Sequence, residues 1–142
     1  MTGSDPFDLQ RFVDAQAGVI DRVREELGRG RKASHWMWFV FPQIEGLGFS
    51  PMAQRYAVSS LAEARAYLAH PVLGPRLREL TAVVTAVPNR TAHEIFGSPD
   101  DIKFRSCLTM FAEAAPGELV FRKALERFYD GETDQATLER LG

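Results

Sequence analysis

The sequence predicts an all-α fold: a single domain over residues 1–142, built as a bundle of six or seven helices. Three observations predict it. Apolar residues recur at three- and four-residue steps along most of the chain, helix-start signatures precede several of these runs, and no alternating run of strand length appears outside one aromatic stretch. With 142 residues, 45% of them apolar and 25% charged, the chain is long enough to bury roughly two thirds of its unfolded surface in one core.

The first helix is expected from Phe7 to Leu27, where Leu9, Phe12, Val13, Ile20, Val23 and Leu27 form the apolar stripe and Arg11, Asp14, Asp21 and Arg24 lie between them. It runs into Gly28-Arg29-Gly30-Arg31-Lys32, where the glycines favour termination and the cations suit a helix C-terminus. Next come Ser34-His35-Trp36-Met37-Trp38-Phe39-Val40-Phe41-Pro42-Gln43, which hold both tryptophans of the chain. As a helix this stretch places Trp36, Phe39 and Val40 on one side and Trp38 and Phe41 on others; as a strand it is apolar on both faces. Either way it is buried nearly all round.

Gly46, Gly48 and the prolines at 42 and 51 predict an ordered surface loop. Ser60-Leu61-Ala62-Glu63 reads as a capping box opening a helix to about Ala69, which His70-Pro71 ends. A helix over 72–87 buries Leu73, Leu77, Leu80, Val84 and Val87. Thr91-Ala92-His93-Glu94 is a second capping box, with Gly97 as the residue after that short helix. Ser98 then supplies an N-cap, Pro99 a first helical position, and Asp100 and Asp101 acids in the first turn of a longer helix carrying Ile102, Leu108 and Phe111. Helices over Gly117–Tyr129, stopped at Asp130-Gly131, and over Asp134–Leu141 complete the bundle.

The formal charge of −2 gives no global attraction for nucleic acid or an anionic membrane, so any anion site must be local. The N-terminus has no basic segment followed by an apolar one, no run reaches membrane-spanning length, and the one cysteine, Cys107, can form no internal disulfide. A cytoplasmic protein is expected. Three histidines without ligand spacing and a lone cysteine point to no metal site, and no motif calls for a cofactor.

Two constellations carry the candidate site. In the aromatic stretch, Lys32, Ser34 and His35 precede the tryptophans and Gln43 follows, polar framing that a purely apolar core would not need. Buried indole N–H groups require acceptors, so at least one of Trp36 and Trp38 is expected to border a polar cavity fit for a small planar ligand. In the second, Asp100, Lys103 and Ser106 stand at three-residue steps near one helix face. Read structurally, this is a capped helix with a surface ion pair. Read functionally, Lys103 is an electrophile-capturing amine or an anion clamp with Asp100 or Asp101 beside it. Two acids in the first turn would repel phosphate from that helix end, leaving Lys32, Arg31 or Arg55 to meet it. Lys103 and His35 are expected to line one cleft with an indole.

Across Ser34 to Gly48, Tyr67-Leu68-Ala69-His70-Pro71-Val72-Leu73-Gly74-Pro75-Arg76-Leu77, and Gly97 to Phe111, the chain resembles the family known as domain of unknown function 1810. The resemblance covers Phe7 to Leu141 and implies an all-helical single domain without an established activity. In that family a lysine precedes Ser-His-Trp, here Lys32, and a Pro-Asp-Asp-x-Lys segment supplies Asp100, Asp101 and Lys103. Many members have two serines where this chain has Ser106-Cys107. Some carry the label calpastatin, an inhibitor that works as a long disordered chain, which a compact apolar sequence does not match.

The order of a tryptophan-bearing segment and a later lysine-bearing helix is also similar to all-helical N-glycosidases acting on ADP-ribose derivatives and riboflavin-pathway intermediates. That similarity implies a nucleotide-like small-molecule substrate. Trp36 or Trp38 would stack on its base, with His35, Gln43 and Ser106 around it. Lys32 or Arg55 would meet phosphate, and Lys103 with Asp100 or Asp101 would act at the sugar carbon. The alternative readings are a non-catalytic ligand sensor using the same pocket, and a helical interaction module.

Overall fold

A computed structural model describes residues 4–141. The described residues form ten α-helices and no strand: α1 Gln10–Ala17, α2 Ile20–Gly28, α3 Met37–Val40, α4 Pro51–Arg55, α5 Leu61–Ala69, α6 Leu73–Thr85, α7 Ala92–Phe96, α8 Asp100–Ala114, α9 Leu119–Tyr129 and α10 Gln135–Leu141. The all-α expectation holds, and the count of six or seven is corrected to ten. The expected first helix breaks at Gly18, where Val19 leaves the helical region at φ −129°. The aromatic stretch winds into the single turn α3, and Ser50 caps the short α4 by accepting from the Ala53 amide at 3.1 Å. None of these helices is long and apolar enough to cross a membrane.

Helix starts follow the side chains able to satisfy free amides. Thr91 and Glu94 make the full reciprocal box at α7. At α5 the Ser60 hydroxyl accepts from the Glu63 amide at 3.2 Å, but the Glu63 carboxylate turns away to Ser59 and to Arg11 at 2.9 Å. Ser98 is not the cap of α8: the helix begins at Asp100, and the Asp101 carboxylate accepts from the Ile102 amide.

α8 is the central element. Phe104, Cys107, Leu108, Met110 and Phe111 on it are wholly buried, and α5, α7, α9 and α10 all pack against it. Burial pushes the Cys107 thiol well up from its ordinary range, making it an inert core residue. From the other side, Gln16 of α1 donates to the Phe39 carbonyl at 2.6 Å and to the Tyr67 hydroxyl at 3.3 Å, while its carbonyl accepts from Arg76. One buried amide thus fixes α3 between α1 and the α5–α6 pair.

Candidate functional site

The two tryptophans have different fates. Trp36 is 1% exposed and packs on Phe41 with ring centroids 6.1 Å apart. Its indole N–H donates to Glu26 Oε1 at 2.9 Å. That carboxylate on α2 also accepts from the Ala33 amide at 2.8 Å, the Ser34 amide at 3.0 Å and the Ser34 hydroxyl at 2.6 Å. The aromatic segment is therefore tied down by one buried anion, and Trp36 is core.

Trp38 is half-buried and borders open space. With Met37, Phe41, Gln43, Gly48, Tyr56 and Lys103 it lines an inner recess of about 10 Å³, room for about one water. Gln43, Gly48 and Lys103 continue from this recess into an outer cleft of about 290 Å³ walled by Pro99, Ile102, Ser106 and Asp134. Gln43 is positioned by its backbone, whose carbonyl accepts from the Val58 amide at 2.9 Å beside the Ile44–Val58 bridge. Gly48 has no room for a side chain, since a Cβ there would fall 2.6 Å from the Ala53 methyl.

No hydrogen bond among the described residues involves the Trp38 indole N–H or the Gln43 side-chain amide. No buried side-chain nitrogen or oxygen lacks a partner, so both groups are reachable from solvent. The Lys103 ammonium lies 5.9 Å from the Trp38 ring and 3.8 Å from Asp100 Oδ1, with 27% of the side chain exposed. It is only loosely held.

Asp100 is shared. Its second oxygen takes the Lys32 ammonium at 2.9 Å, and Lys32 also donates to the Ser34 carbonyl at 2.6 Å and lies over the Trp36 ring at 5.0 Å. With 8% of its side chain exposed, Lys32 cross-links the segment before the aromatics to the start of α8. Asp101 instead meets His93 at 3.2 Å, and its carbonyl accepts from Tyr129.

The wall of the outer cleft also holds a carboxylate, Asp134, that no sequence motif marked as part of a site. Arg105 donates to the Glu132 and Thr133 carbonyls at 3.1 and 2.6 Å, fixing the chain just before α10. Asp134 then receives the Ser106 hydroxyl at 3.1 Å and the Thr137 amide at 3.2 Å. Its signature was the Asp134-x-x-Thr137 spacing of a helix start, which gives no hint of a cleft.

Of the ten residues singled out in sequence, the structure brings Gln43, Lys103 and Ser106 to the outer cleft and Trp38 to the inner recess that shares Gln43 and Lys103 with it, with Asp100 paired to Lys103. Trp36 and Lys32 lie under it as support. His35 is exposed and lines neither the recess nor the cleft, so the expected pairing of His35 with Lys103 in one cleft is not formed. Asp101 faces His93, and Arg55 lines a separate groove with Asp8, Arg11 and Asp14.

A family model described as "Protein of unknown function (DUF1810)" matches residues 6–141. Among solved structures, the crystal structure of the conserved hypothetical protein Rv1873 from Mycobacterium tuberculosis is 55% identical in sequence. It covers 96% of this chain and 98% of its own, with a TM-score of 0.95. No curated protein matches the chain.

Proposed function

The chain belongs to the DUF1810 family, whose description assigns no activity, and we propose that its Trp38–Gln43–Lys103 cleft binds a nucleotide-like small molecule and hydrolyses its N-glycosidic bond. The observation that carries this reading is the trio itself. A primary amide and an ammonium line the cleft and an indole lines the recess that adjoins it, 5.9 Å from the ammonium, none of them saturated by protein partners. Few polar groups in an otherwise apolar hollow is the composition of a small-molecule site, and about 290 Å³ suits one ring system with its sugar.

In this reading the base lies in the outer cleft and meets the Trp38 ring only at the mouth of the inner recess, while Gln43, both donor and acceptor and common to both spaces, reads its edge. The glycosidic C–N bond breaks with its electron pair going to the base nitrogen, which Lys103 protonates. Asp134, on the wall of the same cleft, stabilises the positive charge on the sugar carbon. Water adds there and its released proton restores the lysine, so that water is consumed and free base and sugar leave. Asp100 acts on Lys103 alone, as a positioning residue.

A second reading, ligand binding without turnover, is favoured by the Asp134 hydrogen bonds. Ser106 and Thr137 already engage this carboxylate at the start of α10, as in a structural cap. The two readings share a binding test. ADP-ribose should raise the melting temperature of the wild-type protein, and Gln43→Ala should weaken its binding about tenfold, one lost hydrogen-bonded contact in free energy, without altering the unliganded melt. Free base, read by chromatography from a panel of nucleotides and ADP-ribosyl compounds, separates catalysis from binding. An unshifted melt with every compound of the panel would remove both.

A further inference from the structure

We infer that the groove lined by Arg29, Arg31, Lys32, Ala33 and Arg90, about 480 Å³ in volume, binds the phosphate or pyrophosphate group of a small-molecule ligand. In a chain of net charge −2, four cations and no carboxylate line this one groove. Arg29 has one exposed partner, Glu25 at 3.5 Å, and Lys32 is held by Asp100. Arg31 and Arg90 make no ion pair among the described residues, and the guanidinium groups of Arg29, Arg31 and Arg90 donate no hydrogen bond to them. These forked donors are the ones that match phosphate oxygens in pairs.

Helix termination alone does not explain the cluster. The end of α2 is closed by backbone bonds, Gly30 to Leu27 at 3.0 Å and Arg31 to Glu26 at 2.9 Å, so its carbonyls do not need the arginine side chains. Arg90 comes from the distant connection between α6 and α7, beyond the reach of a dipole effect confined to the last turn of α2. The packing holds the two segments together. Gly30 sits at φ +75°, and a Cβ on it would fall 2.7 Å from Val87 and 3.1 Å from the Arg90 side chain. Only glycine lets the turn carrying Arg29 and Arg31 close onto Arg90.

The groove joins the proposed cleft through a single carboxylate, because Lys32 and Lys103 occupy the two oxygens of Asp100. The inference rests on the nucleotide reading only for which molecule carries the phosphate. The anion site itself is independent of what enters the cleft.

Calorimetric titration of sodium pyrophosphate into the full chain at about 50 mM ionic strength tests it. The expected result is saturable one-to-one binding that added salt weakens, that falls at least about tenfold in Arg31→Ala/Arg90→Ala and in the separate variant Arg31→Glu, and that Trp38→Phe leaves unchanged. Absence of saturable binding to the wild type, or equal binding by both arginine variants, would overturn it, as would binding of single-stranded RNA but not pyrophosphate. Pyrophosphate binding without any ADP-ribose response at Trp38 would reject the cleft reading and leave this one standing.

Discussion

Glu26→Ala should lower the unfolding free energy by about 3–5 kcal/mol, the cost of removing a buried charged acceptor from several donors at once. For a chain of this length the melting temperature should fall by roughly 10–15 °C. All four donors make buried or partly buried bonds from the segment that leads into α3, and Trp36 is the largest side chain among the fully buried ones. Their common partner should also make stability depend on pH. Burial pushes the Glu26 carboxyl up, yet the hydrogen bonds from the Ser34 hydroxyl, the Ala33 amide, the Trp36 indole and the Ser34 amide outweigh it and hold the group at about 2, against an ordinary 4.5.

A carboxyl depressed on folding stabilises the native state fully above its unfolded value and loses that contribution as the pH falls toward its folded value. Wild type should therefore lose roughly 3 kcal/mol of stability between about pH 5 and pH 2 from this group. Glu26→Ala should lack that part of the acid loss. Urea unfolding of both proteins at neutral pH and at about pH 3 measures the difference, and parallel losses in the two would remove Glu26 from the account.

Lys103→Ala should cut turnover by about a thousandfold while leaving the fold intact. A general acid contributes on the order of 10² to 10⁴ in rate, whereas the 3.8 Å pairing of a part-exposed lysine with Asp100 adds at most a few tenths of a kcal/mol to stability. Lys103→Arg separates the roles. A guanidinium can still clamp an anion, but it cannot readily give up a proton at neutral pH. If Lys103→Arg keeps affinity and loses kcat, the lysine is chemical. If it keeps both, Lys103 is a clamp and the proton comes from elsewhere.

The helices were legible where local chemistry decides them. Ser60 and Thr91 cap α5 and α7 as their spacing requires, and Asp130 and Gly131 stop α9 with positive φ values of 55° and 77°. The break at Gly18 was not, because the apolar period continues through it and only packing shows that two short helices replace one. The same limit applies to the site. Both tryptophans sit in one apolar run, and which indole is core depends on Glu26 reaching across from α2. Its position three residues after Val23 put a carboxylate on the apolar stripe, which could have marked it as a buried acceptor. His35 was misplaced for a related reason: the single-turn α3 begins after it and leaves its side chain in solvent. Asp134 reaches the cleft only because Arg105 draws in residues 132–133, a contact 27 and 28 positions apart in sequence.

The cleft around Trp38 is tested most directly by tryptophan fluorescence during titration with ADP-ribose, in wild type and in Trp38→Phe. Trp36 is sealed in the core and Trp38 borders the recess that adjoins the cleft, so the account predicts saturable quenching in wild type that disappears in Trp38→Phe. No saturable change in wild type, or quenching that persists undiminished in Trp38→Phe, would contradict it.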